Sequence, residues 1–362
     1  MAGFEGTKWA SKQARYRLKN QEFEMHQADD KVYAISRSIH YGLFLAFEGI
    51  RFFARRQDGK LQLVFANLHK NLDRFRRSMS FNLGQAQQTW LPDPKRLETI
   101  IRDYFSHEEM IPFVAEMADM GAQGYLRPFT ADEAMSIGVT FPEDPAIRLA
   151  ACRYDRYLGE PFTGVVIPHL VRAVGVNGTG CLKLGVNYLM SVKAVDAAKA
   201  IEPSAGAALF LDDRPDRPVM ERFLSEWDSS CCLFAFNDGT VVKIPENPLI
   251  LPSVTINGIC SILREKEMVK VEERHLSYGE LLERNQKGEL SAVCSIGTAG
   301  ILNRAERIIF VDAEQQRIGE HRVNKACPLY DKLGKARQYY WDIFRGLVPT
   351  VSGIELKVVQ LD

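Results

Sequence analysis

The sequence predicts a mixed α/β chain of two domains, a smaller N-terminal one and a larger C-terminal one. Three observations predict it. The chain has 362 residues, 46% of them hydrophobic and 25% charged, which is enough for two apolar cores. Strand-like runs and helix-like runs interleave over the first 130 or so residues, as hydrophobic period switches between 2 and 3.6. Pro142, Pro145, Gly159, Pro161, Gly164, Gly175, Gly178 and Gly180 then break up the stretch between 140 and 180, where a crossing between domains belongs. The expected segments are an N-terminal extension (1–29), a small α/β domain (30–153), an interdomain loop (154–166) and a large domain (167–362).

Charge and cysteine content narrow the class. Lysine plus arginine and aspartate plus glutamate both number 46, which argues against a general affinity for nucleic acid or for an anionic membrane. Seven cysteines without a C-x-x-C pair or a zinc spacing suit reduced thiols and predict no metal site. The first forty residues lack the apolar core of a secretory signal, and no apolar run approaches the roughly 20 residues of a membrane helix. A soluble, cytoplasmic protein is expected.

In the small domain, the alternation in VYAISRSI (32–39) reads as a strand. RFFARRQDGKLQLVFA (51–66) is two apolar runs around Asp58-Gly59, a hairpin signal. Leu68, Leu72, Phe75 and Met79 recur at helical spacing, with Lys70, Asp73, Arg76 and Arg77 on the other side. Residues 97–105 and 108–120 continue as helical or mixed segments. Gly124 to Phe129, GYLRPF, is a strand; by itself it reads equally as an edge strand with an outward arginine.

In the large domain, Asn187 is a fair N-cap for a helix with Leu189, Val192, Val195 and Ala198 at helical intervals. AALFLDD follows as a short buried strand. Pro252-Ser-Val-Thr255 starts a helix running through Ile259, Ile262 and Leu263, and free amides at such an N-terminus make a seat for phosphate. A helix with Leu329, Leu333, Tyr340 and Ile343 inward closes the pattern. The tail GIELKVVQLD has no assigned role.

Six stretches, in order from about residue 30 to 346, resemble segments of the branched-chain aminotransferase family. They are HYGLFLAFEGIR (40–51), Asn71-Leu-Asp-Arg74, GYLRPF, KLGVNY (183–188), PLILPSVT (248–255) and Gly297-Thr-Ala299. Each alone is weak, but the order is specific. The resemblance implies fold type IV, the architecture shared with D-amino-acid aminotransferase, and pyridoxal 5'-phosphate (PLP) as cofactor in a PLP-binding large domain. It implies that Lys183 carries the cofactor as a Schiff base and that Tyr188 lies beside its ring hydroxyl. Arg74, Val254, Thr255 and Thr298 are implied to hold the phosphate. Phe47, Tyr125, Arg127, Thr298 and Ala299 are implied to face the substrate, although Phe44 and Phe47 read equally as core.

The chain departs from the family pattern around RFLSEWDSSCCLFAF (222–236), where a glutamate that bonds the pyridine nitrogen is expected. Glu226 is the first choice and Glu221 the second, with a neutral serine at that place as the remaining alternative. An extra residue before Phe47, and Val186 and Ser253 in place of glycines, also surround the implied cofactor. The implied activity is transamination between an amino acid and 2-oxoglutarate by a homodimer, with a specialised amino acid open as the donor. D-amino-acid or amine transaminases, a PLP lyase, and a relative without turnover remain as alternatives.

Overall fold

The computed structural model describes residues 4–154, 156–157, 162–173, 175, 177–214 and 216–361. Two units have their own cores: a smaller one of residues 4–154, 182–186 and 355–361, and a larger one of residues 156–181 and 187–354. The expected interdomain loop falls partly on residues 155 and 158–161, outside the described residues.

The smaller unit is built on a seven-stranded antiparallel sheet. In spatial order its strands are Leu356–Gln360, Lys60–Ala66, Ile50–Gln57, Gln123–Asp132, Pro145–Arg153, Lys8–Arg17 and Phe23–Gln27. Asp58 (φ 52°) and Gly59 (φ 78°) both adopt the left-handed region, so the hairpin they join turns with the twist its strands prefer. Helices α1 (Arg37–Tyr41), α2 (Leu68–Phe81), α3 (Pro94–Ser106) and α4 (Ile111–Met120) accompany the sheet. On α2 the buried face is Leu68, Leu72, Phe75 and Met79 as the spacing predicts, with Asn71, Arg74 and Ser78 buried beside them.

Four expectations are corrected. Residues 8–17 and 23–27 are no extension; they are strands of the sheet, the first paired with Pro145–Arg153. VYAISRSI is no strand: Ser36 caps α1 by accepting from the Ser38 amide, and this local bond outcompetes the alternation. GYLRPF lies inside the sheet, flanked by Ile50–Gln57 and Pro145–Arg153, so it is no edge. Residues 182–186 and 355–361 fold with the smaller unit although they follow the expected boundary.

The larger unit carries a mixed sheet in the order Leu224–Trp227, Ala205–Leu211, Phe162–Ile167, Ile301–Val311, Leu290–Gly297, Cys231–Phe236, Thr240–Lys243, Lys270–Glu273, with Arg317–Arg322 also on Ile301–Val311. Phe162–Ile167 is parallel to both its neighbours. Parallel neighbours need a crossover, and α5 (Tyr188–Ile201) supplies it, burying Ala194 and Ala198 against Val165, Ile167, Ala208, Phe210 and Ile309. The helix is where the sequence predicts, but Leu189 and Val192 are exposed and Asn187 makes no capping bond. Its side-chain amide is engaged with Thr179 instead. Helices α6 (Val254–Glu265), α7 (Tyr278–Gln286) and α8 (Pro328–Arg345) complete the unit, and α8 buries Leu329, Leu333, Tyr340 and Ile343 as expected.

Candidate active site

In the smaller unit, Lys183 enters as a short bridge. Its carbonyl accepts from the Phe47 amide at 3.1 Å, and Ala46 and Leu184 form an antiparallel bridge. The Lys183 ammonium lies 4.8 Å from the centre of the Phe47 ring, and the Arg127 guanidinium also lies 4.8 Å from it, so one aromatic ring meets both cations. Arg127 donates to the Tyr125 hydroxyl at 2.9 Å. Tyr125 is buried, and its ring occupies the space that a β-carbon on Gly49 would fill, which is why a glycine stands after Glu48.

Arg74 projects from the middle of α2 to the buried carboxylate of Glu48, Nε to Oε2 at 2.7 Å and Nη2 to Oε1 at 2.5 Å. Burial alone would push the Glu48 carboxyl up. The charge and hydrogen bonds of Arg74, with the charge of Lys183 added, outweigh burial and hold it below the usual carboxylate range. Arg77, three residues on, points to solvent.

In the larger unit, Tyr188 opens α5 after the 3₁₀ turn Gly185–Asn187 and is half-buried. Glu226 lies on the short strand Leu224–Trp227. Successive side chains of a strand take opposite faces: Trp227 packs into the space over Gly164 and donates to the Cys294 carbonyl, so Glu226 takes the other face. There its Oε1 is 3.0 Å from Nη1 of the buried Arg172 and accepts from the Leu251 amide at 3.2 Å, while Cys231 Sγ is 3.9 Å from Oε2. Glu221 instead sits in a 3₁₀ turn, well exposed beside Arg217.

Ser253, standing where a glycine was expected, is the N-cap of α6: its hydroxyl accepts from the Ile256 amide at 3.2 Å. The amides of Val254 and Thr255 are the leading N–H groups of that helix, the positions at which a helix binds an anion. Thr298 and Ala299 form the tight turn between Leu290–Gly297 and Ile301–Val311.

No family model matches the chain. A Staphylococcus aureus (strain N315) protein named "Probable branched-chain-amino-acid aminotransferase" is 27% identical over 318 residues, covering 86% of this chain and 78% of that one. The solved branched-chain aminotransferase of the thermophilic archaeon Thermoproteus uzoniensis, with norvaline, superposes with TM-score 0.67 at 18% identity, over 93% of this chain and 96% of that one. The chain has the fold type IV architecture of these aminotransferases and is similar to them in sequence. An aminotransferase from Brucella abortus bound to the cofactor PLP has the same fold, with TM-score 0.63 at 17% identity over 92% of this chain and 99% of that one.

For this fold type IV chain, the smaller unit brings Lys183 and Arg74 to one carboxylate, and brings Phe47, Tyr125 and Arg127 into one cluster. Within the larger unit, Glu226 is buried and charge-paired while Glu221 is not. Three residues went unassigned in the sequence. Glu48 lies inside the FEGIR run, and Ser78 stands four residues after Arg74, one helical turn along the same face. Arg172 has no sequence signal, since its partner Glu226 is distant along the chain.

Proposed function

We propose that the protein is a PLP-dependent aminotransferase of the branched-chain type, moving an amino group from an amino acid to 2-oxoglutarate. The observation that carries this reading is the joining of Lys183 to the Arg74 helix, two residues that the family pattern ties to one cofactor: Ser78, one turn after Arg74, accepts from the Lys183 amide at 2.9 Å, and Arg74 is forked onto the buried Glu48. Each unit offers groups that suit a phosphorylated pyridine aldehyde: an amine and a guanidinium in the smaller, and a helix start, a hydroxyl-bearing turn and a buried carboxylate in the larger. PLP supplies the carbonyl that takes up the amino group and the ring that withdraws electrons from the substrate's α-carbon.

Lys183 would hold the cofactor through its amine, and the same amine would serve as general base and acid for the proton at the substrate's α-carbon. In the smaller unit Arg74, and in the larger the Val254 and Thr255 amides, the Thr255 hydroxyl and Thr298, are the groups that would hold a phosphate. Glu226, paired with Arg172, would hold the proton on the pyridine nitrogen. Tyr188 would donate to the ring oxygen. Arg127 and Tyr125 orient the substrate's carboxylate end, with the turn at Thr298 and Ala299 assisting. Phe47 presents an apolar wall that favours a branched or otherwise apolar side chain.

The exposed Leu189 and Val192 on α5 support a second copy of the chain as a partner, giving a homodimer. Seven free cysteines support a reducing compartment such as the cytoplasm. No helix among the described residues is long and apolar enough to cross a membrane.

A screen of amino donors with 2-oxoglutarate, read as glutamate formed, tests the reaction. Borohydride reduction of the holoprotein followed by peptide mapping tests the lysine. Glutamate formation with one or more apolar donors and an adduct on Lys183 are expected. An adduct on a different lysine, or none with any donor active, overturns the reading; an adduct on Lys183 without turnover leaves a cofactor-binding relative.

A further inference from the structure

Resting on that reading, we propose that Ser78 is a positioning residue that sets the Lys183 main chain in register with Arg74. Ser78 is fully buried on α2, one turn after Arg74. Its hydroxyl donates to the Arg74 carbonyl at 3.0 Å and accepts from the Lys183 amide at 2.9 Å. A serine hydroxyl has a single proton. Donating it backwards along the helix therefore turns the oxygen lone pairs outward, toward the incoming segment.

The bond to Lys183 spans 105 residues of sequence and addresses the lysine's N–H. On the other side the Lys183 carbonyl is fixed by the Phe47 amide, and two residues on Gly185 donates to the Leu45 carbonyl at 2.9 Å. Lys183 is thus held through both its peptide groups. One of the two holders is the helix that carries Arg74; the other is the segment that carries Glu48. The placing of the Lys183 main chain beside the Arg74 helix is transmitted through Ser78, and a serine bonding only to its own helix would have no such effect.

The test uses apoprotein mixed with PLP, quenched with borohydride at intervals, with the Lys183 adduct counted by mass spectrometry. Inorganic phosphate binding is measured in parallel by calorimetry, and folding by thermal melting. Ser78→Ala is expected to slow adduct formation about 3- to 10-fold, the worth of one hydrogen bond. Phosphate affinity stays within about twofold, because Arg74 keeps its bonds to Glu48. Ser78→Thr, which keeps the hydroxyl, restores the rate. Should the alanine protein not fold, Ser78→Cys fills the space with a weaker acceptor and is expected to slow the adduct likewise. An unchanged adduct rate overturns the proposal, as does a fall in phosphate affinity that matches the fall in rate. Wild-type protein that forms no Lys183 adduct overturns the cofactor reading beneath it.

Discussion

Both carboxylate oxygens of Glu48 meet the guanidinium of Arg74 where neither side chain has appreciable contact with water. Removing one partner of such a pair leaves the other charged and unsolvated, at a cost of about 3–5 kcal/mol. Glu48→Gln is therefore expected to lower the unfolding free energy by that order. It should also weaken PLP binding, because Arg74 loses the support that aims it. Denaturant melts and a PLP titration check this, and a stability within about 0.5 kcal/mol of wild type would contradict it.

Arg74→Ala and Arg77→Ala remove the same charge from one helix. Arg74 is buried and Arg77 is exposed. The first is expected to weaken PLP by at least about tenfold and the second by less than about twofold, because a charge-assisted fork is worth about 1.5–3 kcal/mol and a solvated cation little. Equal losses would remove Arg74 from the phosphate.

For the pyridine nitrogen, Glu226→Gln is expected to cut turnover by about tenfold or more, while Glu221→Gln leaves it nearly intact. Arg172→Met should follow Glu226→Gln, lowering kcat more than it raises KM, since it strips the buried carboxylate of its cation at 3.0 Å. The reverse ranking of the two glutamates would assign the role to the exposed one.

Asp228 gives a pH signature. Burial pushes its carboxyl from 3.8 up to about 6, against the opposing bond from the Ala208 amide. The folded state thus favours the protonated acid. Its stabilising effect is complete below the ordinary value, is lost as pH rises toward 6, and is absent above that, a difference of about 3 kcal/mol. Asp228→Asn keeps an oxygen for the Ala208 amide and has no charge to bury. It should raise the melting temperature clearly at pH 8 and little at pH 4.5; the same gain at both would refute the assignment.

The C-terminal strand also has a measurable duty. Asn67, just before α2, donates its amide to the Glu355 carbonyl at 2.7 Å and accepts the Glu355 amide on its side chain at 3.0 Å, and Leu356–Gln360 pairs with Lys60–Ala66. Deleting 355–362 is expected to speed hydrogen exchange in 60–75 while leaving 290–311 unchanged. Unaltered exchange at 60–75 would show the tail to be dispensable there.

What the sequence by itself determined was local. The Asp58-Gly59 turn, the α2 periodicity and the start of the helix at Val254 depend on backbone torsions and on neighbours within a few residues, and all three stand where the pattern puts them. The ordered series of family-like segments singled out Lys183 and Arg74 in the same way. Only the tertiary structure decided that residues 8–17 pair with 145–153 and that the tail pairs with 60–66. It alone decided that Glu226 rather than Glu221 is buried, that Glu48 holds Arg74, and that Ser78 reaches Lys183. Strand partners and buried ion pairs join residues tens to hundreds of positions apart. Their choice depends on which faces are shielded from water once the whole chain has packed, a property that no short window of sequence carries.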